Sequence, residues 1–298
     1  MMEKNWIIIL LMAFFCPAHA QWALPHISVA HVRTEPRHGA EMSTQALLGT
    51  PLHVDSVTTT GWVAITMPDG YTGYIIGNSL TMLDDEEFGD WRESERGMIV
   101  SSHEIRTYID SLSYEPVSDL VAGDIVCLSG KKGRLRTEIL LPDGRRAWVF
   151  NTDIIPLDSV TFTGVEPILD MARQQMGVPY LWGGLSTKGM DCSGLVKLAF
   201  LSAGYIVPRD ASQQALAGVA VDMDSLQRGD LVFYGKPETG RINHVAIYDG
   251  DGTVIEAAGR VRRNRVEDAG KIITARRLHV ASTPVVTRHS WYYSRNVE

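Results

Sequence analysis

Two stretches of this 298-residue chain carry the same order of parts, and that repeat constrains the fold more than any other feature. In the first, Gly61-Trp-Val-Ala-Ile-Thr66 leads through Pro68-Asp-Gly70 into Tyr71-Thr-Gly-Tyr-Ile-Ile76. In the second, Leu135-Arg-Thr-Glu-Ile-Leu-Leu141 leads through Pro142-Asp-Gly144 into Arg145-Arg-Ala-Trp-Val-Phe150. Proline presets one turn angle and glycine accepts a positive one, so each Pro-Asp-Gly reads as a turn between strands. Short apolar runs broken by Gly, Pro and Asp, without a helical period, predict small barrels. Pro68 and Pro142 lie 74 residues apart, so two β modules of similar length are expected, over residues 21–88 and 89–157. The acidic run Asp84-Asp-Glu-Glu87 between them reads as a solvated linker.

The pattern changes after Pro156. Thr163-Gly-Val-Glu166 fits a capping box, and Pro167 suits a first turn. Ile168, Leu169, Ala172 and Met176 then fall on one helical face, and Gly177-Val-Pro-Tyr180 ends the helix. A second helix is expected from Cys192 onward, since Ser193-Gly-Leu-Val-Lys-Leu-Ala-Phe-Leu-Ser-Ala-Gly204 is apolar and closes on glycine. A short polar helix near Ser212–Gly218 and strands at Asp230–Tyr234, Ile242–Tyr248 and Thr253–Ala257 follow. Helices first and antiparallel strands afterwards predict an α+β domain over 158–298.

Cys192 stands at the head of its helix, between Asp191 and Ser193. The helix dipole and unpaired amides there favour thiolate over thiol, and the thiolate is the form that attacks carbonyls. The bland alternative is a small buried hydrophobe. A nucleophilic thiol needs a base and a group to hold that base. His244 is the best placed, because strand alternation puts Ile242, His244, Ala246 and Tyr248 on one face. Glu256 is the strongly polar side chain of the next strand, Val254-Ile-Glu-Ala-Ala258. A plain two- or four-residue loop would put His244 and Glu256 on opposite faces. Their meeting requires an odd loop or one bulge around Asp249-Gly-Asp-Gly252. The backbone amide of Cys192 would stabilise an oxyanion. These parts specify acyl transfer through a thioester, with water as final acceptor. No Cys or His cluster has metal-ligand spacing, and no cofactor is implied.

Composition fixes the setting. A formal net charge of −7 argues against a general nucleic-acid binder. Lys4, the apolar run Trp6–Phe15 and Ala18-His-Ala20 form an expected export signal over residues 1–20, cleaved after Ala20. The mature chain would then act in a periplasm or outside the cell, with no membrane span. A disulfide between Cys127 and Cys192 is disfavoured, since Cys127 sits in the β-like run Asp124-Ile-Val-Cys-Leu-Ser129 and reads as core.

Four motifs in order resemble the NlpC-type cell-wall cysteine peptidases: Pro179-Tyr-Leu-Trp-Gly-Gly184, Asp191-Cys-Ser-Gly194, Arg228-Gly-Asp-Leu-Val-Phe233 and His244-Val-Ala-Ile-Tyr248. The first two modules resemble the bacterial SH3-like barrels often attached to such enzymes. The resemblance covers about residues 160–298 and implies a papain-like core that hydrolyses peptidoglycan stem peptides. It implies Cys192 as nucleophile and His244 as base. The third family residue, usually His, falls here on Glu256, a departure that would raise the base's pKa and move the pH optimum.

The order of two barrels and a peptidase resembles a subgroup that cuts between γ-D-glutamate and a diamino acid. That subgroup prefers stem peptides with a free N-terminal L-alanine, and its first barrel helps to close the site. A buried amine needs anionic and aromatic company. Pro208-Arg-Asp210 matches the subgroup's loop and implies Asp210 as amine partner, with Asp191 and Tyr180 lining the same pocket. Ser193 would bond the substrate backbone, and Glu41 and Tyr71 would come from the first barrel. Asp210 also suits a salt bridge to Arg209 or a helix cap. The basic run Arg260–Arg265 either meets stem-peptide carboxylates or forms a solvated surface. Two other readings use the same parts: a non-catalytic wall-binding protein, and an acyltransferase with an amine acceptor.

Overall fold

Three large sheets and one two-stranded pair are formed by the described residues of a computed structural model, 20–101, 103–160, 163–279 and 292. The export segment expected over residues 1–20 lies, apart from Ala20, outside the described residues.

The first sheet comprises β1 (Trp22–Pro25), β2 (Val29–Arg33), β3 (Met42–Leu47), β4 (Leu52–Val57), β5 (Trp62–Thr66), β6 (Thr72–Ile76) and β7 (Leu80–Leu83). Their order is β3-β2-β6-β5-β4-β1-β7. Helix α1 (Asp85–Glu93) comes next. The second sheet comprises β8 (Arg96–Ile99), β9 (Ile105–Tyr108), β10 (Pro116–Leu120), β11 (Ile125–Lys132), β12 (Arg136–Leu140), β13 (Arg146–Phe150) and β14 (Ile154–Pro156). Its order, β10-β9-β13-β12-β11-β8-β14, repeats the first strand for strand. The two Pro-Asp-Gly turns join equivalent pairs, and Gly70 and Gly144 take positive φ values of 81° and 85° there. Each sheet closes on its own small core, Val32, Val63 and Ile65 in the first, Val126, Ile139 and Val149 in the second.

The acidic run is not a linker but the start of α1. Asp84 Oδ1 accepts from the Glu87 amide at 2.9 Å and Glu87 Oε2 accepts from the Asp84 amide at 3.0 Å. This reciprocal cap satisfies two helix-end donors. It lets α1 bury Phe88 and Trp91, with Phe88 stacked on Trp22 at 3.9 Å between ring centres. Residues 88 and 89 therefore lie within one helix.

The last region is α+β. It contains α2 (Glu166–Gln174), the short pair β15 (Leu185–Ser186) and β16 (Gly189–Met190), α3 (Cys192–Leu201) and α4 (Ala211–Gln214). The strands β17 (Val219–Val221), β18 (Leu231–Lys236), β19 (Arg241–Gly250), β20 (Thr253–Ala258), β21 (Arg260–Arg265) and β22 (Ile272–Arg277) form a sheet in the order β17-β22-β18-β19-β20-β21. Leu231, Phe233, Val245, Ile247 and Ile255 share a core with Leu195, Val196 and Ala199 of α3. Val232, Tyr234, Ala246 and Val254 form a separate cluster, as alternation along each strand requires.

Two local expectations fail. Residue Val165, not Thr163, caps α2, and it offers no side-chain bond; Pro167 in the first turn helps to set that end instead. Met176 lies beyond the end of α2 and is 40% exposed, while Met171 is buried in its place. The basic run Arg260–Arg265 is a full strand paired with β20. Cys127 and Cys192 are both free thiols, and Cys127 meets Ser94 Oγ at 3.2 Å. Among the described residues, no helix is long and apolar enough to cross a membrane.

Candidate active site

Asp191 sets the position of Cys192. As N-cap of α3 it is extended, and its Oδ1 accepts from the Gly194 amide at 2.7 Å. The first turn can sit against the 181–185 loop only because residue 194 is glycine. A Cβ there would stand 2.1 Å from the Gly184 carbonyl oxygen. Cys192 thus occupies the start of a buried helix, where the first amides have no helical acceptors.

His244 approaches from β19. Tyr234 pairs with His244, but the next pair is Gly235 with Ile242, so Asn243 is an extra residue in a β-bulge immediately before the histidine. The bulge corrects the simple alternation: Ile242 packs into the α3-side core, whereas Ala246 belongs to the other cluster. A second slip falls between Tyr248 and Gly250, at the turn into β20. It puts Ile247 opposite Ile255 and so brings Glu256 to the same face as His244, one diagonal step away.

The outcome is a continuous line of groups. His244 Nε2 is 2.6 Å from Glu256 Oε2, and Cys192 is close enough to act on the protonation of the imidazole. With Nε2 given to Glu256, Nδ1 is the ring nitrogen left for a thiol. Burial opposes protonation of His244, but its bonds to Cys192 and Glu256 outweigh that and push its pKa up to about 9. Burial also works against the Glu256 carboxylate. Bonds from His244, Asn264 and Arg262 overcome it and hold the pKa below the usual range.

Around this line the predicted binding residues divide. Asp191 and Ser193 turn inward. Arg209, 2% exposed, grips Asp191 from both sides, Nη1 to Oδ1 at 3.0 Å and Nη2 to Oδ2 at 2.5 Å. It also donates to Ser193 Oγ at 2.8 Å and, through Nε, to Thr44 Oγ1 of β3 at 2.7 Å. Asp191 Oδ2 further accepts from the Gly183 amide at 2.9 Å. The arginine of Pro208-Arg-Asp210 therefore pairs with Asp191 beneath the nucleophile, a role the sequence reading missed. Its local signal was a charged residue enclosed between Pro208 and a helix start.

The other predicted residues face outward. The pKa of Tyr180 is pushed up to about 12 by burial and then by the negative charges of Cys192 and Asp191. The pKa of Tyr71 is raised by burial and then by Asp210, with Arg209 and Ser43 opposing the rise. Asp210 stands at the head of α4, its amide donating to Gln213 Oε1 at 3.0 Å. Burial raises its pKa, Arg209 opposes the rise, and Asp191 and Asp69 add to it. Asp210 and Tyr71 thus share one half-buried, anionic and aromatic corner.

The first barrel walls that corner. Glu41 Oε1 accepts from Trp182 Nε1 at 2.7 Å, and the indole is otherwise 63% exposed. Gln45 Oε1 accepts from the Leu185 amide at 2.8 Å. Gly183 has a φ of 74°, and a Cβ there would lie 2.4 Å from the Met42 carbonyl oxygen, so only glycine allows β3 this close. At the junction of all three regions, Lys188 Nζ bonds Asp119 Oδ2 at 2.5 Å and Ser28 Oγ at 3.1 Å.

Two family models match separate parts of the chain. Residues 177–281 match the NlpC/P60 family and residues 32–80 match the bacterial dipeptidyl-peptidase Sh3 domain. The chain is 30% identical over 238 residues to a gamma-D-glutamyl-L-lysine dipeptidyl-peptidase of Bacillus cereus, covering 73% of this chain and 67% of that protein. It is 40% identical over 111 residues to the Bacillus subtilis protein of the same name, 37% of each chain. It is 40% identical over 137 residues to the peptidoglycan endopeptidase RipB of Mycobacterium tuberculosis, 42% of this chain and 52% of that one. The crystal structure of an NlpC/P60 family protein from Bacillus cereus superimposes with a TM-score of 0.77 at 24% identity. The match covers 86% of this chain and 99% of the other, and shows that the fold is shared.

Proposed function

The chain belongs to the NlpC/P60 family of cysteine peptidases, and from that membership we propose that it hydrolyses the γ-D-glutamyl–L-diamino acid bond of peptidoglycan stem peptides. The observation that carries this reading is His244, bonded to Glu256 at 2.6 Å and held as imidazolium by Cys192 as well. In this mechanism the Cys192 thiolate attacks the γ-carbonyl carbon. The His244 imidazolium then gives its proton to the departing amine of the diamino acid, leaving a thioester on Cys192. The Cys192 amide steadies the oxyanion on the way. Water next gives a proton to His244 and its oxygen adds to the thioester carbon; the C–S bond then breaks, releasing the acid product and restoring the Cys192 thiolate beside the His244 imidazolium. Glu256 keeps the imidazole aimed and its charge compensated.

The corner formed by Asp210 and Tyr71, with Glu41 nearby on the first barrel, favours substrates with a free N-terminal L-alanine. An ammonium group leaving water needs a carboxylate and benefits from an aromatic face. Asp191, Ser193 and Tyr180 would shape the floor of the same site. The names of the two Bacillus relatives support this bond specificity, and the segment over residues 1–20 favours action in a periplasm or outside the cell.

The test is to incubate the protein with L-Ala-γ-D-Glu-diaminopimelate and with its N-acetylated form. Cleavage of the free amine in strong preference is expected. Equal cleavage of both would remove the amine corner, and cleavage of neither would remove the substrate assignment.

A further inference from the structure

We infer that Arg262 and Asn264 are positioning residues for the reaction proposed above, holding the Glu256 carboxylate so that its second oxygen is aimed at His244. The inference rests on that reading for its catalytic meaning. Glu256 is 1% exposed. Its Oε1 accepts from Arg262 Nε at 2.9 Å and from Asn264 Nδ2 at 2.9 Å, while Oε2 is left to His244. Arg262 Nη2 is also within 2.9 Å of Oε1. All these donors come from one strand, β21, in which Arg262 is the direct partner of Glu256. Residues 262 and 264 share a strand face, so the register that pairs β20 with β21 delivers both to the carboxylate together.

The need for such a clamp follows from the departure at position 256. A neutral ring can be buried at modest cost. A carboxylate in the same place must be paired and hydrogen-bonded, or it costs several kcal/mol. It can also turn about its last torsion and lose its aim. The basic run is therefore divided between tasks: Arg262 serves Glu256, while Arg263 pairs with Asp249 and Arg265 with Glu267. Other groups face the pair from every side. Cys192 comes from α3 and Tyr234 from β18, its ring 5.7 Å from the imidazole. Tyr180 feels the charge of Cys192, and Tyr234 feels those of Glu256 and Glu267.

The sign of the effect separates positioning from mere proximity. Were Arg262 only a nearby charge, its loss would favour the imidazolium and move the alkaline limb of kcat/KM upward. If it aims Glu256, its loss weakens the Glu256–His244 bond and moves that limb downward. The test compares the wild-type chain with R262Q, R262K and N264S, each checked by thermal melting. Two readouts are taken: the pH profile of kcat and KM on L-Ala-γ-D-Glu-diaminopimelate, and the pH profile of Cys192 alkylation by iodoacetamide, with C192A giving the background from other thiols. We expect R262Q to lower the alkaline limb of kcat/KM by about one pH unit and to raise the pH at which alkylation sets in by about one unit, with about tenfold slower alkylation near neutral pH. KM should hardly change, N264S should show a smaller shift, and R262K should recover most of the loss. Unchanged profiles, or both shifts reversed, in a folded R262Q protein would overturn the inference. If the wild type cleaves nothing while alkylation in R262Q shifts as described, the positioning role stands and the substrate reading falls.

Discussion

Nε2 of His244 lies 2.6 Å from Oε2 of Glu256, across two strands that would hold the pair apart if they ran without irregularity. The slip before Gly250 turns Glu256 to the histidine's face, and the bulge at Asn243 moves Ile242 off that face. Because a one-residue slip reverses every side chain of a strand, these irregularities are as much a part of the site as the residues they aim.

Replacing Glu256 by Gln keeps the shape of the orienting group but removes its charge. We expect E256Q to lower kcat by about 10- to 1,000-fold, or roughly 1.4–4 kcal/mol of barrier, with little change in KM. E256A should be worse, since it leaves Arg262 and Asn264 without their acceptor. Steady-state kinetics on the stem tripeptide decides this, and a fall confined to KM would speak for substrate binding instead.

His244 should titrate far from its ordinary value of about 6.5. Its imidazolium is favoured in the folded chain up to about pH 9, so activity should persist through neutral pH and decline above about 9. The same sign governs stability. A raised folded pKa contributes stability that is fully present below about 6.5 and is lost as pH rises through about 9. Removing the thiol in C192A takes away one of the two bonds that raise it, so the pKa should fall. NMR titration of the imidazole in both chains checks this, and identical titrations would refute the coupling.

Local chemistry made the framework readable before any coordinates. Turn residues at Pro68–Gly70 and Pro142–Gly144 marked equivalent hairpins, and the run after Cys192 announced a helix start. Non-local pairing was not readable. Arg209 meets Asp191 across 18 residues and Thr44 across 165, and nothing in the local pattern ranks these partners above Asp210. The acidic run at Asp84 was misread for another reason. Charge suggested solvent, but Asp84 and Glu87 have the capping-box spacing, followed at once by Phe88 and Trp91, which bury the helix. Thr163 shows the converse, a correct spacing that the chain leaves unused because Val165 occupies the cap.

Arg209 and Asp191 form a buried pair, so losing one partner strands the other's charge. We expect R209M to cost about 3–5 kcal/mol in urea unfolding. The double change R209M/D191N should cost less than the sum of the single changes, since the stranded charge is gone. A strictly additive result would mean the pair contributes nothing beyond packing.

Asp210 should matter only where a free amine is present. D210N is expected to lower kcat/KM for the free tripeptide by roughly 10- to 100-fold, the loss of a bond to a charged group worth about 1.5–3 kcal/mol. The smaller rate on the N-acetylated peptide should scarcely change. Y71F, which removes the hydroxyl facing Asp210, should show the same pattern more weakly. Equal losses on both peptides would place Asp210 in a structural role.

The most direct measurement is the covalent intermediate. The protein is mixed with L-Ala-γ-D-Glu-diaminopimelate, quenched in acid within the first turnover, digested and weighed by mass spectrometry. The account predicts an L-Ala-γ-D-Glu acyl group on the peptide containing Cys192, and no cleavage by the C192A chain. Cleavage by C192A at the wild-type rate would contradict it.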